Sequence, residues 1–145
     1  MAKILRNSSY QLTPINGSVV CCHIFGAFMH TGIWVNGGIV ELAGSGLVRS
    51  VSPTRFLHNR SGEQIFTMGD DRANILSSDL AAVNAQQRIF EYVNYDVIAN
   101  NCNRFVASCF DLDNTKEIML FEELTENLAN FFNRTLVFYP TTIVF

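Results

Sequence analysis

The dipeptide Asn36-Gly37 lies between two β-rich runs, His30-Thr31-Gly32-Ile33-Trp34-Val35 and Ile39-Val40-Glu41-Leu42, and it most narrows the folds open to this chain. A type I′ turn needs positive φ at both central positions, which Asn and Gly accept, so the pattern reads as a tight hairpin. A two-residue loop sets Val35 against Gly38 and Glu41 against Gly32. Glu41 is then diagonal to His30 on the same face, ~7–8 Å away at the backbone, within reach of a long side chain. A three-residue loop would turn Glu41 to the other face. Gly32, facing Glu41, leaves space for their contact.

The rest of the first half also reads as strands. Asn16-Gly17 opens the apolar run 18–25, and the turn-rich stretch 44–69 has room for short strands at 46–51 and 64–68. Gly44-Ser45-Gly46 is too short for a phosphate cradle and reads as a turn. The second half turns helical. Ser78 or Asp79 caps a helix running to Val93, with Ala82, Ala85, Ile89 and Val93 on its apolar stripe. Asn100 or Asn101 caps another over 102–110, which buries Cys102, Phe105, Val106 and Cys109. A third, over 116–133, places Leu120, Leu124, Leu128 and Phe131 on one side, and residues 136–145 add a strand. Strands first and helices afterwards argue an α+β domain with an antiparallel sheet packed against helices.

At 145 residues the chain is one domain, 1–145, large enough for a real core. Its 48% hydrophobic and 16% charged content is too apolar for disorder, and the net charge of −3 argues against nucleic acid as a partner. No run reaches the ~20 apolar residues of a membrane span. Four cysteines are too few for a disulfide scaffold, so they read as thiols in a reducing, cytoplasmic setting. The glycosylation-type matches at Asn7, Asn16, Asn59 and Asn133 are then idle.

Cys102 is the residue with the most chemistry. A cysteine at a helix N-terminus faces unpaired amides and the positive end of the macrodipole, both of which favour the thiolate. The same amides can donate to an oxyanion. His30 is the candidate base and Glu41 the acid that holds its tautomer. Each has a plainer reading: Cys102 as a buried small hydrophobe, His30 as a half-buried histidine bonded to a carbonyl, Glu41 as a solvated carboxylate. Together they form a pattern less easily dismissed. Cys21 and Cys22, adjacent on a strand, point to opposite faces, and with His23 they lack zinc spacing; no metal or other cofactor is expected. Cys109 reads as core, His58 as a solvated loop residue, and Phe25-Gly26-Ala27-Phe28-Met29 as core or, if exposed, an acyl-chain or membrane contact.

These residues carry a resemblance. His30-Thr31-Gly32-Ile33-Trp34-Val35 with Ile39-Val40-Glu41-Leu42 is similar to the histidine box of the lecithin:retinol acyltransferase-like proteins, and Asn101-Cys102-Asn103-Arg104-Phe105-Val106 resembles their NC box. Leu12-Thr13-Pro14-Ile15-Asn16-Gly17 resembles the opening strand of that family, and Arg88 and Tyr95-Asp96-Val97 its lead-in to the cysteine. The likeness covers about residues 10–110, leaving 111–145 as a C-terminal helix and strand extension. It implies a circularly permuted papain-like fold of the NlpC superfamily, with Cys102 as nucleophile, His30 as general base and Glu41 in place of a second histidine. The implied activity is acyl transfer or hydrolysis through a thioester, on an acyl-bearing small molecule or lipid, with transient contact to a membrane surface. The chain departs from the pattern at Glu41, in a hairpin one residue shorter, and at Asn103-Arg104, where the family has Glu-His. Two alternatives stay open: an NlpC-type peptidase or amidase, and a non-catalytic interaction module like the picornaviral H-box/NC proteins.

Overall fold

The computed structural model describes residues 2–24, 28–58, 64–93, 101–113 and 115–142. In chain order the elements are strands β1 (Lys3–Ile4), β2 (Val19–His23), β3 (Met29–Val35), β4 (Gly38–Leu42) and β5 (Val48–Val51), helix α1 (Pro53–Leu57), strand β6 (Phe66–Asp70), helices α2 (Asp79–Gln87), α3 (Asn101–Cys109) and α4 (Phe121–Phe132), and strand β7 (Leu136–Pro140). The fold is mixed α+β: a seven-stranded sheet in the order β1-β7-β6-β2-β3-β4-β5, packed against helices. Neighbours are antiparallel except β1 and β7, which run parallel.

The β3–β4 hairpin forms as its turn chemistry requires. Asn36 and Gly37 have φ of 51° and 82°, and Val35 pairs with Gly38, Trp34 with Ile39 and Ile33 with Val40. Alternation along the strands feeds two cores. Val19, Cys21, Ile33, Val40 and Met68 face α2, α3 and α4, while Val20, Cys22 and Ile39 face Phe56 of α1 on the other side. Covering both faces explains why Val19–Cys22 of β2 is an unbroken apolar run.

The sequence-based elements shift in three places. Helix α1 falls in the stretch read as turns and short strands, although its start is marked: Ser52 Oγ accepts from the Arg55 N–H, and Pro53 occupies the first turn. Helix α2 starts at its Ser78 cap but stops at Gln87 rather than Val93. Phe90 then takes φ 78°, and the following residues lie along β5: the Phe90 N–H donates to the Val48 carbonyl and the Val48 N–H to that of Glu91. Satisfying that edge outweighs another helical turn. In α4 the buried stripe is Leu124, Thr125 and Leu128, with Phe121 and Phe132 packed beside it; Phe131 is 48% exposed and Leu120 lies before the helix. The strand expected over 136–145 is present as β7, which lies between β1 and β6.

Candidate functional site

Helix α3 lays Cys102, Phe105, Val106 and Cys109 against the sheet, the face its apolar spacing indicates, and so brings its first turn to β3. The β3–β4 ladder runs from Val35↔Gly38 to Ile33↔Val40, and beyond it both strands continue on their outer neighbours, β2 and β5. Where the ladder ends, Cys102 meets β3. Its Sγ lies 3.9 Å from the Met29 carbonyl oxygen, and Thr31 offers it a backbone N–H. The residue is 8% exposed.

His30 is buried and pairs across the strands with Cys22 on the α1 side of the sheet, its ring 5.0 Å from that of Phe56. Nε2 lies 2.9 Å from Glu41 Oε1, so the side chains meet as the two-residue loop requires. Glu41 is fully buried rather than a solvated strand carboxylate, and its second oxygen accepts from Arg49 Nε at 2.8 Å. The space at Gly32 goes to other side chains than expected. A Cβ there would lie 2.6 Å from Ile39 Cγ2 and 3.2 Å from Phe56 Cε1, so the missing side chain admits the apolar packing behind His30.

The thiols separate electrostatically. Burial pushes Cys102 up, but the hydrogen bond and charge of His30, together with the Thr31 N–H, outweigh it and the net direction is down. Cys21 moves well up through burial, and Cys109 is pushed up to about 12, again by burial. With Nε2 engaged by Glu41, Nδ1 is the ring nitrogen left for the thiol. A thiol beside an imidazole so held has a route for its proton.

Sequence reading missed Thr31, Asn103 and Arg49. The Asn103 Oδ1 accepts from the Thr31 hydroxyl at 3.2 Å, and its Nδ2 donates to the Met119 carbonyl at 3.2 Å. Arg104 Nε donates to the neighbouring Ile118 carbonyl at 3.3 Å, so the two departures after the cysteine tie α3 to β3 and to the approach to α4. Arg49 stands opposite Glu41 in the β4–β5 register, a relation legible only once β5 is placed.

Other candidates resolve more plainly. Cys21 and Cys22 face opposite cores, and among the described residues no group of three or more His, Cys, Asp or Glu is placed to hold a metal ion. His23 bonds to Arg6 at 2.8 Å, and His58 is exposed at the end of α1. Arg88 donates to Ser108 and Glu91 and lies over the Phe105 ring, bracing α2 on α3. Of the apolar stretch before His30, Met29 is buried and Phe28 is 61% exposed, while 25–27 lie outside the described residues, as do Asn100 and the lead-in at 95–97. Among the described residues no helix is long and apolar enough to cross a membrane. No family model, curated protein or solved structure matches the chain.

Proposed function

We propose that this chain is a thiol-dependent acyltransferase or hydrolase on the permuted papain-like, NlpC-type plan of the lecithin:retinol acyltransferase-like proteins. Cys102 is the nucleophile, His30 its base, and Glu41 orients the imidazole. The observation that carries the reading is geometric: a buried carboxylate holds the His30 imidazole at 2.9 Å on the same stretch of β3 that Cys102 packs against, and His30 moves that thiol down while burial moves Cys21 and Cys109 up.

In this reading His30 takes the Cys102 proton and the thiolate attacks the carbonyl carbon of an ester or amide. Amides of the first turn of α3 receive the oxyanion. The carbon–oxygen or carbon–nitrogen bond of the donor breaks, and the imidazolium proton leaves with the alcohol or amine. An acceptor alcohol, amine or water then gives its proton to His30 and attacks the thioester, releasing the thiolate. A lipid acyl donor, met in transient contact with a membrane surface, suits the exposed apolar side chains of Phe28, next to Met29, and of Met119, whose carbonyl Asn103 holds. Four free thiols fit a cytoplasmic setting.

The low exposure of Cys102 favours one competing reading, a non-catalytic H-box/NC interaction module in which the same contacts only brace α3 on β3. Alkylation by iodoacetamide at neutral pH, mapped by peptide mass, separates the two. The enzyme reading expects Cys102 to label ahead of Cys21, Cys22 and Cys109 and the His30→Ala variant to slow that labelling. Slow, even labelling of all four favours the module. A thioester adduct trapped from phospholipid, seen by intact mass, supports the lipid substrate; one trapped from a muramyl-type peptide assigns an NlpC-type amidase instead.

A further inference from the structure

Arg49 belongs to no motif, yet it completes a line of three side chains on one face of the sheet. It stands directly across from Glu41 in the β4–β5 register, with Nε 2.8 Å from Oε2, while Glu41 Oε1 lies 2.9 Å from His30 Nε2. Glu41 is wholly shielded from water, whereas the Arg49 side chain is 32% exposed. A carboxyl group in such a position, without a cation beside it, is driven to its neutral form. Guanidinium does not lose its proton in proteins, and an arginine that keeps part of its hydration carries its charge at modest cost.

We infer that Arg49 is a positioning residue: by keeping Glu41 ionised it fixes His30 in the tautomer protonated on Nε2, whose Nδ1 can accept the Cys102 proton. The argument is one of donors and acceptors. An ionised carboxylate can only accept, so the proton between Glu41 and His30 sits on Nε2. A neutral carboxyl can instead donate its own proton to Nε2, which leaves the ring hydrogen on Nδ1, so that Nδ1 can no longer accept a proton. Arg49 therefore selects the competent base without touching it. The inference rests on the acyl-enzyme reading for its consequence, but the tautomer itself does not. Among the described residues, the other ionisable groups around the pair are Cys22 on β2 and Cys102 on α3; α1 contributes the uncharged Phe56 ring, with Arg55 exposed.

The test is Arg49→Met on the full chain, with Arg49→Gln as a second uncharged replacement that keeps an N–H donor, and Arg49→Lys as the variant that keeps the charge. Nitrogen-15 shifts of the imidazoles, with His30 assigned by its loss in His30→Ala, read the tautomer directly. The wild type and Arg49→Lys should show the proton on Nε2; Arg49→Met or Arg49→Gln should move it to Nδ1 at acid pH and return it as pH rises and Glu41 ionises. Cys102 alkylation should fall roughly 10–100-fold in the uncharged variants, with a larger deficit at about pH 6 than at about pH 8.5. An Nε2 proton in the uncharged variants throughout, with a pH profile parallel to wild type, overturns the role of Arg49. A wild-type Cys102 no faster than Cys21 and Cys109 overturns the acyl-enzyme reading instead, and the nitrogen shifts still decide the tautomer.

Discussion

Gly32→Ala is a single added methyl group whose consequences run from packing to chemistry. The new Cβ would lie 2.6 Å from Ile39 Cγ2, 3.0 Å from the Val40 carbonyl oxygen and 3.2 Å from Phe56 Cε1. Carbon atoms pack best at about 3.5–4.0 Å, so the first contact is short by roughly 1 Å. Ile39 cannot swing away, because its branched Cβ restricts χ1 and the side chain is fully buried. Phe56 is equally enclosed. Overpacking of this kind costs about 1–3 kcal/mol. For a chain of this length, at roughly 3 °C per kcal/mol, Tm should fall by roughly 3–9 °C, read by calorimetry or circular dichroism. The Phe56 ring also lies against His30, so the displacement reaches the imidazole. A shift approaching 1 Å there should slow Cys102 alkylation by up to ~100-fold. Combining Gly32→Ala with Ile39→Ala should cost about 1 kcal/mol less than the sum of the two single changes. A Gly32→Ala protein with wild-type Tm and wild-type Cys102 reactivity would refute the packing argument.

Three further outcomes follow from the same contacts. Glu41→Gln keeps the side chain's size but offers Arg49 and His30 one amide; its oxygen should turn to the arginine and its NH2 to Nε2, imposing the wrong tautomer, so Cys102 reactivity should drop by ~10²–10⁴-fold without vanishing, and unchanged alkylation would remove Glu41 from the site. Asn103→Ala strands the Thr31 hydroxyl and the Met119 carbonyl, with an expected loss of about 2–4 kcal/mol in urea unfolding that adding Thr31→Val should partly reverse. Burial alone would raise the Asp70 carboxyl, but the N–H groups of Arg72 and Asn74, the Asn74 side chain and the charge of Arg134 outweigh it and hold it below its ordinary value. A depressed native value stabilises the fold above the unfolded value of ~4 and is lost as pH falls through the native one, so the stability gap between wild type and Asp70→Asn should shrink on acidification below about pH 4.

Much of the site was legible locally, because its key choices are local. The backbone demand of Asn36-Gly37 sets the β3–β4 register, and that register alone decides that Glu41 shares a face with His30. Apolar spacing likewise identifies the buried side of α3 and places Cys102 in its first turn. What spacing leaves open is how separate segments meet. Phe131 matches a helical stripe yet stays half in water, since its neighbours Leu128 and Phe132 take the available core. Helix α2 ends early because the edge of β5 competes for its backbone, and β7 lies inside the sheet rather than at its edge because β6 and β1 offer it hydrogen bonds on both sides. The same holds at the centre of function. Arg49 reaches Glu41 through a strand pairing, and Cys102 reaches Thr31 where the β3–β4 ladder stops. Turn and helix preferences are properties of a few consecutive residues, so the sequence by itself determines them. Which distant groups share a buried space depends on every segment competing for the same core, and only the tertiary structure decides that.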